Sequence, residues 1–150
     1  EGKVAVLLIS SGLDPFSRHT YDQSLNKCKA ANASIYAISL GQQFRLRYEQ
    51  RMSREMNMDF LMADNRLRSF TDFTGGEAFF PRFVTEFPSI FSNISAMLRN
   101  QYSIAYASTN TKKDGKYRKI RVEVNVDVNG DGKPDKLKVM TRKGYQAKLD

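Results

Sequence analysis

The 150-residue sequence holds one cysteine, one histidine and no tryptophan. A lone Cys28 excludes an intrachain disulfide framework and a thiolate-rich zinc site. A lone His19, just ahead of an expected helix, reads as a surface residue and leaves no histidine pair for a zinc helix. No Gly-x-Ser-x-Gly elbow and no glycine-rich phosphate cradle occurs. With no nucleophile–base pair to name, the expectation is a non-enzyme. Long apolar runs are also missing. The longest, Val4 to Ile9, is strand length, far below the roughly 18 residues of a membrane span. Four prolines and nine glycines are too few for collagen-like or low-complexity chains.

What is present is an ordinary globular balance, 41% hydrophobic and 27% charged, with a length suited to one domain over 1–150. The net charge of +8 is uneven: residues 1–111 hold 12 Lys+Arg against 10 Asp+Glu, whereas residues 112–148 hold 12 against 5. Such a basic third suits nucleic acid, an anionic surface or a lysine-rich hairpin kept soluble by its charges. The hairpin is preferred and no nucleic-acid partner is expected. Tyr117 is the one aromatic between Lys112 and Arg142, too few for base stacking. The chain starts at Glu1 without a signal segment, as expected of a processed chain or a piece of something longer.

Val4–Ile9 and Ser34–Leu40 read as buried strands, with a helix between them opened by Thr20 and Gln23 at capping-box spacing. This is a βαβ unit with parallel strands. Helices follow between Phe44 and Phe73, where Met52, Met56, Met58 and Met62 are read as core filling and Asp64 as the cap of a second helix. Gly75-Gly76 ends that helix before a short strand at Glu77 to Phe80. Phe83, Phe87, Ile90, Ile94, Met97 and Leu98 form a helical stripe. Tyr102–Ala107 is expected as a buried strand. Strict alternation from Ile120 to Val128, resumed at Leu137 and Val139, predicts a C-terminal antiparallel hairpin.

Two loops carry candidate chemistry. Asp127, Asn129, Asp131 and Asp135 place side-chain oxygens at positions 1, 3, 5 and 9 of a loop, with Gly132 after the third and the Lys133 carbonyl available at position 7. That spacing suits calcium (Ca2+), a hard cation that takes six to eight oxygens. The loop is similar to the Asp-x-Asn-x-Asp-Gly loops of EF-hand, dockerin and FG-GAP-type proteins, but has Lys138 where the EF-hand has its bidentate Glu. The alternative is an ion-free turn. Ser11 and Asp14 follow the first strand, at the end of a parallel sheet where ligands bind. Their alternative is a strand-to-helix turn in which Asp14 bonds backbone amides.

Several ordered segments resemble the von Willebrand factor A-related domains of acidobacterial secreted proteins: Val4–Gly12, Ala33–Ser39, Leu67 through Thr74-Gly75-Gly76 to Phe80, Ile94 through Arg99-Asn-Gln-Tyr102 to Tyr106, Asp114–Val122, and Arg142-Lys-Gly-Tyr145. The resemblance implies an α/β fold. It would be a partial Rossmann-like, three-layer von Willebrand A-type parallel sheet over about 1–108, with an antiparallel β-hairpin extension over about 109–150. It covers the second half of such a domain, so the upstream half is expected from elsewhere. The family's adhesion site holds magnesium (Mg2+), but its Asp falls on Ser11 here and the upstream ligands are absent, which leaves Asp14 as a substitute. The implied function is a non-enzymatic binding or adhesion module contacting a protein partner or matrix component, extracellular or periplasmic. The alternative is a calcium-stabilised structural domain with no ligand site of its own.

Overall fold

Val4–Ser10 forms strand β1 and Ala33–Ser39 forms β2, paired in parallel from Val4–Ala33 to Ser10–Ser39. The computed structural model describes residues 4–135, 137 and 139–149. Between the strands runs helix α1, Tyr21–Ala30. Its capping box is formed as read: the Gln23 N–H donates to Thr20 Oγ1 at 3.2 Å, and the Thr20 N–H donates to Gln23 Oε1 at 3.0 Å. Helix α2, Gly41–Tyr48, and a 3-10 turn at Glu49–Arg51 lead to helix α3, Arg54–Thr74. Ser53 caps α3 by accepting from the Met56 N–H.

At the other end of α3, Gly75 sits at φ +81°, and the N–H groups of Gly75 and Gly76 both donate to the Thr71 carbonyl. This left-handed cap turns the chain into β3, Ala78–Phe79, which pairs in parallel with β2. The sheet order is β1-β2-β3. A 3-10 turn at Val84–Glu86 precedes helix α4, Phe87–Arg99, with Pro88 in its first turn.

The two faces of β2 are covered by different helices because alternate strand residues point opposite ways. Tyr36 and Ile38 pack against Ile90 and Ile94 of α4, with Phe79, Phe87, Met97 and Met140 around them. On the other face α3 buries Phe60, Ala63 and Leu67, and Thr74 Oγ1 accepts from the Ile35 N–H.

Strands β4, Tyr117–Lys119, and β5, Gly144–Gln146, form a separate antiparallel pair. Arg142 ties it to α1, donating from Nη2 to the carbonyls of Lys29 and Ala31 at 2.8 and 2.7 Å, groups the helix end leaves unpaired. The Lys29 ammonium lies 4.3 Å from the Phe73 ring centroid and 5.1 Å from that of Tyr117.

Five expectations are corrected. Val4–Ile9 is a strand but not a buried one: Val4, Val6, Leu7 and Ile9 are exposed, because β1 is the outer strand of its sheet. Tyr102–Ala107 is exposed and not a strand, because no described strand pairs with its backbone groups. Residues 120–128 are not a strand either; near the expected pairing with 137–139, among the described residues, the Asp135 N–H donates to the Val126 carbonyl. Lys136 and Lys138 lie outside the described residues. The antiparallel pair is built instead from the segments flanking that excursion. Asp64 does not cap a helix but sits inside α3, whose start Ser53 caps. Met56, Met58 and Met62 are exposed, since the inner face of α3 is already occupied by Phe60, Ala63 and Leu67.

A Cβ on Gly76 would overlap the Ile35 carbonyl of β2. Gly76→Ala is therefore expected to destabilise the fold by about 3 kcal/mol, the upper end of ordinary overpacking. Thermal unfolding compared with the parent chain measures it, and an unchanged melt would remove the close approach as a constraint.

Candidate functional site

The loop leaving β1 lies at the carboxyl end of the parallel sheet, beside the end of β2: the Leu40 N–H donates to the Ser10 carbonyl at 2.9 Å. Gly12, at φ +74°, is held close to α3, where a Cβ would come within 3.1 Å of Ala63 Cβ. Within this loop the hydroxyls serve the backbone. Ser10 Oγ accepts from the Gly12 N–H at 3.0 Å, and Ser11 Oγ from the Leu13 N–H at 3.4 Å. Asp14 is exposed. The loop thus places Ser11 and Asp14 near each other in sequence, but it does not bring a set of carboxylates around them.

A polar cluster that sequence reasoning missed stands at the same end of the sheet. Asp64 is 4% exposed on α3. Its Oδ1 accepts from Ser39 Oγ at 2.7 Å, and its Oδ2 receives the Arg45 guanidinium of α2 at 2.7 Å. Ser39 Oγ also accepts from the Gly41 N–H at 3.2 Å. One carboxylate therefore joins β2, α2 and α3. A signal for it existed: Phe60, Ala63, Asp64, Leu67, Thr71 and Thr74 all fall on the buried face of α3, so a charged residue interrupts an otherwise inward stripe. A charge in that position requires a partner.

The 127–135 loop gathers its oxygen side chains, and most are used on its own amides. Asp127 Oδ1 accepts from the Gly130 and Asp131 N–H groups at 2.6 and 3.2 Å, and its Oδ2 from the Gly132 N–H at 2.7 Å. The Gly132 amide foremost, then those of Gly130 and Asp131, holds the Asp127 carboxyl below its ordinary pKa, against a smaller opposing effect of desolvation. Asn129 Oδ1 accepts from the Asp131 N–H, Asp131 Oδ1 from the Lys133 N–H, and Asp135 Oδ2 from the Val128 N–H. Asn129 Nδ2 lies 3.5 Å from Asp131 Oδ2 and 3.3 Å from Asp135 Oδ1, which places these three side chains together. Gly130 and Gly132 supply the positive φ that the turns demand. Lys138, at position 12 of the loop, is outside the described residues. Among the described residues no group of three His, Cys, Asp or Glu side chains is arranged to hold a metal ion.

Exposed aliphatic surface is the other feature of this end of the molecule. β1 is the outer strand of the sheet, and Val4, Val6, Leu7 and Ile9 are all exposed, at 58% for Val4 and 44% for Leu7. Their alternation places exposed apolar groups on both faces of β1. His19 is exposed as read. No described helix is long and apolar enough to cross a membrane.

Removing one partner of the Asp64 cluster leaves the other charge buried, so Asp64→Ala and Arg45→Ala are each expected to lose about 3–5 kcal/mol of stability. The double variant Asp64→Leu with Arg45→Met should recover most of that loss. Denaturant unfolding of the three variants tests it; additive losses in the double variant would show that the pair does not act as a unit.

No family model matches the chain, and no curated protein matches it. A similar solved structure is that of an uncharacterized membrane spanning protein from Vibrio fischeri, with 17% sequence identity, a TM-score of 0.46, and coverage of 65% of this chain and 48% of that one. The chain thus spans about half the length of that protein.

Proposed function

We propose that this chain is a non-enzymatic binding module for protein or matrix contacts, an α/β unit of the von Willebrand factor A-related type acting in an extracellular or periplasmic setting. The observation that carries the reading is β1: a seven-residue strand at the sheet edge, aliphatic on both faces and exposed on both. Natural edge strands are blunted by lysine, proline, a bulge or an inward charge. Val4–Ser10 has no charged residue and no proline. Burying one such aliphatic side chain contributes about 1.5–3 kcal/mol, so a partner covering several gains substantial affinity. The exposed Met56, Met58 and Met62 add adaptable apolar surface on α3. Ser11 and Asp14, at the carboxyl end of β1, are the residues through which a magnesium ion would make such contacts cation-dependent.

A photo-activatable residue placed at Leu7 is expected to form polypeptide adducts in the native host fraction, and one at the exposed Leu46 of α2 far fewer. Adducts that persist in EDTA and in Asp14→Ala assign the contact to the apolar strand alone. No adduct from position 7 removes the reading.

The second reading, a calcium-stabilised structural domain, is favoured by the convergence of Asn129, Asp131 and Asp135. A site of this kind raises unfolding stability by about 2.7 kcal/mol at a hundredfold excess of calcium over Kd. Thermal unfolding in calcium and in EDTA, repeated with Asp131→Ala, measures it. Identical melts in both media would discard calcium as a stabiliser.

A further inference from the structure

Helix α3 carries a second stripe besides its buried one. Arg54, Met58, Leu61, Asn65 and Arg68 recur at alternating spacings of four and three residues, the heptad seam along which one helix lies against another. All five are exposed, Met58 by 56% and Leu61 by 48%, and the similarly exposed Met62 widens the apolar centre. The buried stripe of Phe60, Ala63, Leu67 and Thr71 runs along a different side of the helix, so the seam is not used by the core. A helix side turned to water ordinarily carries polar residues along its whole length.

The charges say what fits this seam. Its two ends are arginines, about 21 Å apart at the helical rise. Neither takes part in an ion pair among the described residues. The Arg68 guanidinium lies 4.3 Å from the Phe80 ring centroid, which steadies it while it stays exposed. A second copy of α3 is the wrong occupant. Laid antiparallel about Leu61 it sets Arg54 against Arg68, and laid parallel it sets each arginine against its own counterpart. A polyanion also fits poorly. Glu55 and Asp59 stand three residues before Met58 and Met62, beside them on the helix surface, and repel phosphate. A helix of another protein can place its carboxylates opposite the two arginines alone.

We infer that the Arg54–Arg68 seam of α3 docks an amphipathic helix of another protein, with aliphatic residues over Met58, Leu61 and Met62 and a carboxylate opposite each arginine. The inference rests on the binding reading above and adds a contact apart from β1. Methionine at the centre lets the seam shape itself to the partner's side chains. Asn65 requires a hydrogen-bonding group opposite it, which sets the register. The planar guanidinium forks take carboxylates in two-pronged pairs, so the seam discriminates by charge as well as by shape.

The probe is a stapled helical peptide of about sixteen residues, long enough to span the seam, with leucine at its central seam positions and glutamate at both ends. Its control is the same peptide ended by lysine. Fluorescence anisotropy with the full 150-residue chain should show the glutamate peptide binding about tenfold tighter, an advantage that shrinks as salt is raised. Arg54→Glu with Arg68→Glu should reverse the preference. Met58→Asn with Leu61→Asn should weaken both peptides about tenfold. All four positions are exposed, and thermal melts matching the parent chain exclude misfolding as the cause. Leu7→Asn on β1 should leave peptide binding unchanged, so the seam stands or falls separately from the strand contact. Equal binding of the two peptides, or a preference that survives the charge reversal, overturns the proposal. So does a chain that sediments as a dimer until Leu61 is replaced, since that result assigns the seam to a second copy. Displacement of the glutamate peptide by anionic vesicles or a single-stranded oligonucleotide through the same two arginines overturns it as well.

Discussion

Burial of β2 on both faces and along both edges is the constraint on which the rest of the structure depends. Ala37 and Ile38 are fully enclosed and Tyr36 nearly so, between α3 on one side and α4 on the other, with β1 and β3 as flanking strands. A parallel strand has no solvated face, so its side chains are apolar on both sides and its backbone must be paired to left and right. Each neighbouring element answers part of that requirement. Gly75 and Gly76 exist to let β3 reach β2 directly after α3. Asp64, Ser39 and Arg45 then lock the carboxyl end of the strand to two helices, and the polar groups that burial would otherwise strand satisfy each other.

The same constraint is left unmet at β1. Its sequence is as apolar as that of β2, yet it has a strand on one edge and incomplete cover on its faces. The difference between the two strands lies in their surroundings and not in their composition. An aliphatic edge without a gatekeeping charge is the kind of surface a partner strand or apolar patch would cover, and the binding proposal rests on it. The exposed methionines of α3 belong to the same account, since the helix has one inner face and that face is full.

The candidate sites were legible to different degrees. The spacing of Asp127, Asn129, Asp131 and Asp135 suggests oxygens converging on one point; in the structure the Asn129 Nδ2 stands near Asp131 and Asp135, and among the described residues no group of three His, Cys, Asp or Glu side chains is arranged to hold a metal ion. Spacing does not say whether oxygens face a centre or their own backbone, and Asp127 faces the amides of Gly130, Asp131 and Gly132. Ser11 shows the same ambiguity: a hydroxyl after a strand serves a ligand or a turn, and in the structure its oxygen accepts from the Leu13 N–H. Asp64 was misplaced because a carboxylate is a good helix cap by local rules, and its partners lie at Ser39 and Arg45, far outside any local window.

Local chemistry determined the elements whose reasons are local. The capping box at Thr20 and Gln23, the glycine stop at Gly75 and the parallel βαβ pairing of β1 with β2 all follow from side-chain spacing within a few residues and are present, as is the Phe87, Ile90, Ile94 and Met97 part of the α4 stripe; Phe83 precedes the helix, and it and Leu98 are exposed. Only the tertiary structure decided which strand-like segments become strands. Tyr102–Ala107 and Ile120–Val128 carry apolar patterns as good as that of Val4–Ser10, yet only Val4–Ser10 among them lies beside a partner strand. A helix satisfies its backbone from within its own sequence, whereas a strand borrows hydrogen bonds from a distant one. Alternation therefore marks a segment able to be a strand, and the neighbour supplied by the fold makes it one.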